Sequence, residues 1–253
     1  MITGSLNTLQ RTPLPAPLAE LSPWLDWEVE PVGVVRARLD AQRHRRVIKT
    51  HTPLDGLPLD PDVRYIVVGR HPLDVAVSLF HHVSNIDQER SRQLRRESRP
   101  RPPLELSLSE WMEAWIEDRR PPRDELDTLN GNVHHVADAW TRQGAGNVLL
   151  VHYADLLDNC ETSMRKIAAW LEIDVPSRAW PSLSTAASFE SMRARPTAAV
   201  PDRLGILRDP AAFFRSGSSG EGSQACSDGQ IRRYNRRVSE LSTPEVLAWL
   251  QRP

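Results

Sequence analysis

The chain has 253 residues, which is enough for a buried core, and a formal net charge of −1, which excludes a global basic surface for nucleic acid. Its two cysteines lack ligand-like spacing, so the sequence argues against a disulfide framework and against a zinc site. No apolar run approaches the roughly 20 residues of a membrane span, and no signal peptide begins the chain. These features predict a cytoplasmic protein, with one domain over residues 1–253.

Three short apolar runs predict strands at 47–50, 64–69 and 148–153. Apolar spacings of three and four residues predict helices around them. The predicted helices lie near Val32–His44, Pro72–Asn85, Leu108–Ile116, Val133–Thr141, Cys160–Leu171, 185–195, Ser227–Leu241 and Thr243–Leu250. A helix fragment and a proline-rich connector are expected upstream of them. Two polar segments, 87–103 and 216–223, are predicted to be mobile loops.

Apolar strands that alternate with helices predict an α/β fold, in which a parallel β-sheet is flanked by helices on both faces. Ligands of such sheets bind beyond the carboxyl ends of the strands. Here the first strand ends in Lys49 and His51, the second in Arg70, and the third in His152 and Tyr153. If the strands are parallel, these side chains meet at one edge, which favours a binding site there.

The segment after the second strand has the properties of an anion-binding site. Arg70 ends the strand, and its guanidinium can form bidentate bonds to a phosphate. Ser78 lies about two helical turns further on and can add a hydroxyl. Pro72 suits the first turn of a helix, and Asp74 suits the positive end of the helix dipole. An ion pair between Arg70 and Asp74, or another surface acid, is the alternative.

The order and spacing of these residues resemble the cytosolic-type sulfotransferases, whose sulfate donor is 3′-phosphoadenosine 5′-phosphosulfate (PAPS). That family carries strand-Arg-(Asn/Asp)-Pro-x-Asp-x-x-x-Ser, in which the Arg and the Ser hold the 3′-phosphate of PAPS. Arg70 and Ser78 match those positions, and His71 replaces the usual Asn or Asp. The resemblance also implies the architecture of the family, which is similar to that of P-loop nucleotide hydrolases.

A second segment of the family, Lys-(Ser/Thr)-His-x-Pro, matches Lys49 to Pro53. The resemblance implies that His51 is the general base that deprotonates the acceptor hydroxyl. This role suits an imidazole, which titrates near neutral pH. The ammonium of Lys49 could stabilise the sulfuryl oxygens or the leaving phosphate. An isolated histidine would more often be structural, and the motif reverses that preference.

Further matches extend over most of the chain. The resemblance implies that Tyr153, Phe189 and Met192 contact the adenine, and that Ser188, in the same motif as Phe189, also binds the nucleotide. It implies that Phe214, Arg215 and Gly217 belong to a segment that closes over the 3′-phosphate. It implies that Trp24 and His135 line the pocket that binds the acceptor. Packing in the core is the alternative for the apolar members, above all for Met192.

The sequence also departs from the family pattern. Ser216 replaces a lysine of the closing segment, and Gly222 replaces a tryptophan. The loop that binds the 5′-phosphosulfate, Pro-Lys-Ser-Gly-Thr-Thr-Trp in the family, has no match, and Met1–Leu6 resembles the helix that follows it. The expected fold is therefore an N-terminally truncated version, through either a misassigned start or a true deletion.

The leading interpretation is a sulfotransferase that moves a sulfuryl group from PAPS to a hydroxyl of a small-molecule or glycolipid acceptor, without a metal and without a nucleic-acid partner. A non-catalytic protein that binds 3′-phosphoadenosine is the alternative, favoured by the missing loop. A P-loop kinase is a poorer interpretation, because the chain lacks a Walker A motif and a convincing magnesium-binding acid. The sequence leaves the oligomeric state open.

Overall fold

The computed structural model describes residues 2–3, 6, 16–27, 29–43, 45–95 and 105–252. The predicted N-terminal helix fragment, most of the proline-rich connector and the end of the 87–103 segment lie largely outside these residues. The chain divides into two compact units. The first unit comprises Met1–His51, Asn85–Pro103 and Asn159–Gly217, and the second comprises Thr52–Ser84, Leu104–Asp158 and Ser218–Pro253. The expectation of one domain over residues 1–253 stays a prediction.

The second unit contains the sheet. Strands β1 (Tyr65–Gly69) and β2 (Val148–His152) pair in parallel, in a register that joins Tyr65 to Val148 and Gly69 to His152. The parallel pairing of the two predicted strands is thereby confirmed, as is the α/β class. The cover of β1 is uneven, since Val67 is 4% exposed and Val68 is 50% exposed.

Helices pack around these strands within the second unit. They are α3 (Pro72–Ser84), α5 (Leu108–Glu117), α6 (Leu129–Thr141), α7 (Tyr153–Asp158), α12 (Glu221–Gln224), α13 (Asp228–Ser239) and α14 (Pro244–Leu250). The apolar faces of α3, α5, α6, α13 and α14 form a core cluster, which includes Leu73, Met112, Leu129 and Leu250. At the end of β1, a Cβ on Gly69 would lie 2.5 Å from the ring of Trp249, so only glycine lets α14 approach the strand this closely.

The first unit is helical in its described part. Its helices are α1 (Leu18–Leu21), α2 (Val32–Asp40), α4 (Gln88–Arg95), α8 (Cys160–Trp170), α9 (Trp180–Ala187), α10 (Phe189–Arg193) and α11 (Pro196–Ala199). The predicted helix at 185–195 is thus two helices. They are separated at Ser188, whose backbone is extended and whose side chain caps α10.

The predicted strand at 47–50 is wrong. The structure gives this segment one isolated parallel bridge, between Trp24 and Lys49. Extending the ladder backward would require a backbone N–H at Pro23, which proline lacks. Ile48 is also 48% exposed, so no layer covers the segment as it would a strand inside a sheet.

The two predicted mobile loops contain helical residues. The 87–103 segment includes α4, and the 216–223 segment includes the start of α12. The mobility of the two segments stays a prediction.

Candidate active site

The Lys49–His51 motif in the first unit lies beside the segment that contains Trp24. The N–H of Lys49 donates to the carbonyl of Pro23 (2.9 Å), and the N–H of Leu25 donates to the carbonyl of Lys49 (3.0 Å). These two bonds make the parallel bridge and place Trp24 next to Lys49. Backbone pairing therefore fixes the cation of the motif against an aromatic side chain.

Three side chains surround the indole of Trp24. The Nζ of Lys49 lies 3.9 Å from the centre of the Trp24 ring, in a cation–π contact. Trp27 stacks on Trp24 with ring centres 5.2 Å apart and planes within 7°. The imidazole of His51 lies 4.3 Å from Trp24, centre to centre. Trp24 thus brings the predicted base and the predicted cation together.

A carboxylate holds the same segment in place. Asp26 Oδ2 accepts a hydrogen bond from the hydroxyl of Thr50 (2.7 Å) and one from the backbone N–H of His51 (3.2 Å). The sequence pattern assigns Asp26 no role. Asp26 and His51 are 25 residues apart in the chain, and neither composition nor periodicity indicates their contact.

The environment of Lys49 makes its ammonium easier to deprotonate. Burial lowers the pKa of Lys49 to about 8, and the negative charge of Asp26 opposes this effect. At neutral pH the side chain is still mainly cationic, so it can stabilise negative charge. This ability declines in mildly alkaline solution.

A second group of predicted site residues forms an apolar cluster in the first unit. The rings of Phe189 and Phe214 meet nearly at right angles with centres 6.0 Å apart, and Met192 packs against the same cluster. Gly217 has a φ of +65°, and a Cβ there would lie 2.5 Å from Cγ of Phe189. Only glycine therefore fits beside this ring. The alternative of core packing applies most to Phe214, which is 6% exposed.

The two polar members of this group differ in their surroundings. The hydroxyl of Ser188 accepts the N–H of Ser191 (3.2 Å) and so caps α10. The side chain of Arg215 is exposed to solvent.

In the second unit, Arg70 and Tyr153 follow the paired ends of β1 and β2. The guanidinium of Arg70 lies over the ring of Tyr153, 4.4 Å from its centre. Its Nη2 donates to the carbonyl of Ser218 (3.0 Å), while its Nε is buried and has no hydrogen-bond partner among the described residues. The carboxylate of Asp74, which the alternative interpretation paired with Arg70, instead accepts hydrogen bonds from the backbone N–H groups of Gly220 and Gly222.

The other two predicted residues of this unit lie on helices. Ser78 is exposed on α3, two turns beyond Arg70. His135 lies on α6, and its Nδ1 is buried without a partner among the described residues. Burial lowers the pKa of His135, which favours the neutral imidazole. The neighbouring His134 has a side-chain partner, because its Nε2 lies 3.0 Å from Oδ2 of Asp55.

Each unit therefore brings together part of the predicted set. The first unit joins Trp24, Lys49 and His51 in one group, and Phe189, Met192 and Phe214 in another. The second unit joins Arg70 and Tyr153, as the strand register predicts.

Among the described residues, no cluster of three or more His, Cys, Asp and Glu side chains is arranged to hold a metal ion. None of the helices described above has the length and the apolar character needed to cross a membrane.

Comparisons with known proteins identify the family. The sequence model described as "Sulfotransferase domain" matches residues 2–242. A glycolipid sulfotransferase of Mycobacterium bovis is 36% identical over 265 residues, which cover 97% of this chain and 81% of that protein.

Two solved structures share the fold. A retinol dehydratase in complex with androsterone and inactive cofactor PAP superimposes with a TM-score of 0.70 and 21% identity, over 96% of this chain and 79% of the other. A mouse sulfotransferase complexed with PAP gives a TM-score of 0.70 and 21% identity, over 96% and 81%. The chain belongs to the sulfotransferase domain family, and it is a transferase of that family whose sulfuryl donor is PAPS.

Proposed function

We propose that this protein transfers a sulfuryl group from PAPS to a hydroxyl of a small-molecule or lipid-linked sugar acceptor, with His51 as the general base. The observation that carries the proposal is the grouping around Trp24. An imidazole and an ammonium both contact this indole, at 4.3 Å and 3.9 Å respectively. A base next to a cation is what the attack of an alcohol on a sulfuryl group requires.

The reaction balances with these groups. His51 accepts the proton of the acceptor hydroxyl, and the acceptor oxygen forms a bond to sulfur. The bond between sulfur and the oxygen that bridges it to the 5′-phosphate breaks, and adenosine 3′,5′-bisphosphate leaves as an anion. Lys49 provides positive charge near the oxygens on which negative charge develops. The rest of the catalysis comes from holding donor and acceptor in line.

We assign the donor to the remaining predicted residues. Arg70 and Ser78 hold the 3′-phosphate, and the segment with Phe214, Arg215 and Gly217 closes over it. Support comes from the buried Nε of Arg70, a donor that has no partner among the described residues and that a phosphate oxygen would satisfy. The adenine contacts Tyr153, Phe189 and Met192, and Ser188 belongs to the same nucleotide-binding segment. The ring cluster of Phe189 supports this role, because a purine can extend an edge-to-face aromatic arrangement.

Trp24 and His135 are proposed to contact the acceptor. Each has a buried nitrogen without a hydrogen-bond partner in the described part of the chain, namely Nε1 of Trp24 and Nδ1 of His135. Hydroxyl groups of a sugar would satisfy both nitrogens. The M. bovis relative is named a glycolipid sulfotransferase, which supports a glycolipid as the acceptor here. Cys160 and Cys226 are free, which fits a reducing compartment, so we place the reaction in the cytoplasm.

The test is transfer of ³⁵S from labelled PAPS to an extracted glycolipid fraction and to a panel of simple alcohols and phenols. We expect labelled glycolipid with the unaltered chain and a large loss of label with His51→Ala. Equal labelling by both proteins would refute His51 as the base. Binding of adenosine 3′,5′-bisphosphate without transfer to any acceptor would favour a non-catalytic nucleotide-binding protein.

A further inference from the structure

The segment from Ser218 to Gly222 is bound to the first turn of α3 by a buried carboxylate. Asp74 is 2% exposed. Its Oδ2 accepts the N–H of Gly220 (2.8 Å), and its Oδ1 accepts the N–H of Gly222 (2.7 Å). Hydrogen bonds to a charged acceptor are stronger than neutral ones, and burial keeps water from competing for them. Both oxygens of Asp74 are therefore committed to holding this segment.

Gly222 makes the close approach possible. A Cβ at this position would lie 2.2 Å from the carbonyl carbon of Leu73 and 2.5 Å from the backbone nitrogen of Asp74. These contacts are with backbone atoms, so no change of rotamer could relieve them. This is the position at which the resembling family carries a tryptophan, and here any side chain would push the segment away from α3.

The other end of the segment, at Ser218, contacts Arg70. The carbonyl of Ser218 accepts a hydrogen bond from Nη2 of Arg70 (3.0 Å), while the ring of Tyr153 lies under the guanidinium. A guanidinium is planar, so one fixed hydrogen bond and one stacked face together determine its orientation. That orientation decides where the buried Nε and the remaining donors of Arg70 point.

We propose that Asp74 and Gly222 are positioning residues that act through Arg70. Asp74 fixes the segment, the segment fixes the carbonyl of Ser218, and this carbonyl orients the guanidinium toward the 3′-phosphate of the donor. The inference rests on the proposed function only in giving Arg70 the 3′-phosphate as its ligand. It predicts that damage to the segment reduces recognition of the 3′-phosphate and leaves binding of the rest of the nucleotide intact.

The experiment compares two nucleotides by calorimetry, adenosine 3′,5′-bisphosphate and adenosine 5′-monophosphate, which lacks the 3′-phosphate. Asp74→Asn replaces one acceptor by an N–H₂ group that faces a backbone N–H, and Gly222→Ala displaces the segment with Asp74 intact. For each variant we expect about a tenfold loss of affinity for the bisphosphate and less than about a twofold change for the monophosphate. Gly229→Ala is the matched control, because its Cβ would meet no atom closer than 3.8 Å.

A double variant tests the route through Arg70. If Gly222 acts through this guanidinium, Gly222→Ala adds little to the loss already caused by Arg70→Ala. Additive losses would overturn the proposal, and so would equal losses for the two nucleotides, which would indicate a general structural role. If Asp74→Asn fails to fold, Gly222→Ala decides the question by the same comparison. Failure of the unaltered chain to prefer the bisphosphate would instead refute the proposed role of Arg70 itself.

Discussion

Arg70 in the second unit and His51 in the first unit are both held firmly, but by different means. Arg70 follows a strand whose register with β2 places it beside Tyr153, so backbone pairing decides its location. His51 follows a segment with one isolated bridge, and its position depends on the carboxylate of Asp26 and the ring of Trp24. The strand before Arg70 is held by several backbone hydrogen bonds of the sheet at once. The position of His51 depends on a few side-chain contacts, and each of these can be removed by one substitution.

This difference separates two functions. We assign the donor phosphate to the side chain fixed by the sheet, and the chemical step to the side chains fixed by tertiary contacts. Substitutions near Arg70 should then change affinity for the nucleotide, and substitutions near His51 should change turnover and its pH dependence.

The largest effect is expected for His51→Ala. Loss of the general base should reduce kcat by about 10²- to 10⁴-fold, because the acceptor hydroxyl would attack without losing its proton to the protein. The affinity for adenosine 3′,5′-bisphosphate should stay within about twofold, since the imidazole has no assigned contact with that nucleotide. Steady-state turnover and calorimetry on the same preparation measure the two quantities. A parallel loss of both would mean that the two regions do not have separate functions.

Arg70→Ala should have its main effect on binding. Removal of a charge-assisted phosphate contact should cost about 2 kcal/mol, or about a 30-fold weaker affinity for adenosine 3′,5′-bisphosphate in calorimetry. Arg232→Ala is the control, because Arg232 is exposed on α13 and changes the net charge by the same amount. Equal losses in the two variants would indicate a general effect of charge and argue against a phosphate site at Arg70.

Lys49 and Asp26 should control the alkaline side of the pH–rate profile. Since the pKa of Lys49 is lowered to about 8, its ammonium is lost above that pH, and kcat should fall by up to about tenfold per pH unit. Asp26→Asn removes the charge that opposes this lowering, so the fall should begin at a lower pH. Lys49→Arg should abolish the fall, because arginine stays charged. A wild-type profile that stays flat to pH 10, or a fall unchanged by Asp26→Asn, would exclude Lys49 as the titrating group.

The smallest effect concerns stability in acid. His71 Nδ1 accepts the N–H of Leu73 (3.2 Å), and burial lowers the pKa of His71. Asp74 opposes this lowering, while His152 and Arg70 add to it, and Tyr234 is the other ring nearby. Between the lowered pKa and 6.5 the unfolded chain binds more protons, so the stability contributed by neutral His71 is present above pH 6.5 and declines as the pH falls below it.

His71→Asn keeps an acceptor for the N–H of Leu73 and removes the titration. Urea unfolding at pH 7.5 and 5.5 should show a loss of stability on acidification that is smaller in this variant, by on the order of 1 kcal/mol. An equal loss of stability on acidification in both proteins would assign the effect to other histidines, such as His135 and His152.

The same contrast explains what the sequence could predict. The apolar runs of β1 and β2 predict that these two strands pair with each other. Because the register of a strand pair fixes which residues are neighbours, the pairing brings Arg70 next to Tyr153. The run at 47–50 looks similar but forms no strand, because its neighbour contains Pro23. The hold of Asp26 on His51 and that of Asp74 on Gly222 join residues distant in sequence, and composition and periodicity carry no signal for either contact.

The most direct test of the separation is single-turnover sulfuryl transfer from PAPS at increasing donor concentration, for the unaltered chain, Arg70→Ala and His51→Ala. A contact with the remote 3′-phosphate contributes equally to the ground state and the transition state, so saturating PAPS should return Arg70→Ala to nearly the wild-type rate. His51→Ala should stay slow at every donor concentration. Recovery of His51→Ala at saturation, or persistent slowness of Arg70→Ala, would contradict the assignment of donor binding and chemistry to different regions of the molecule.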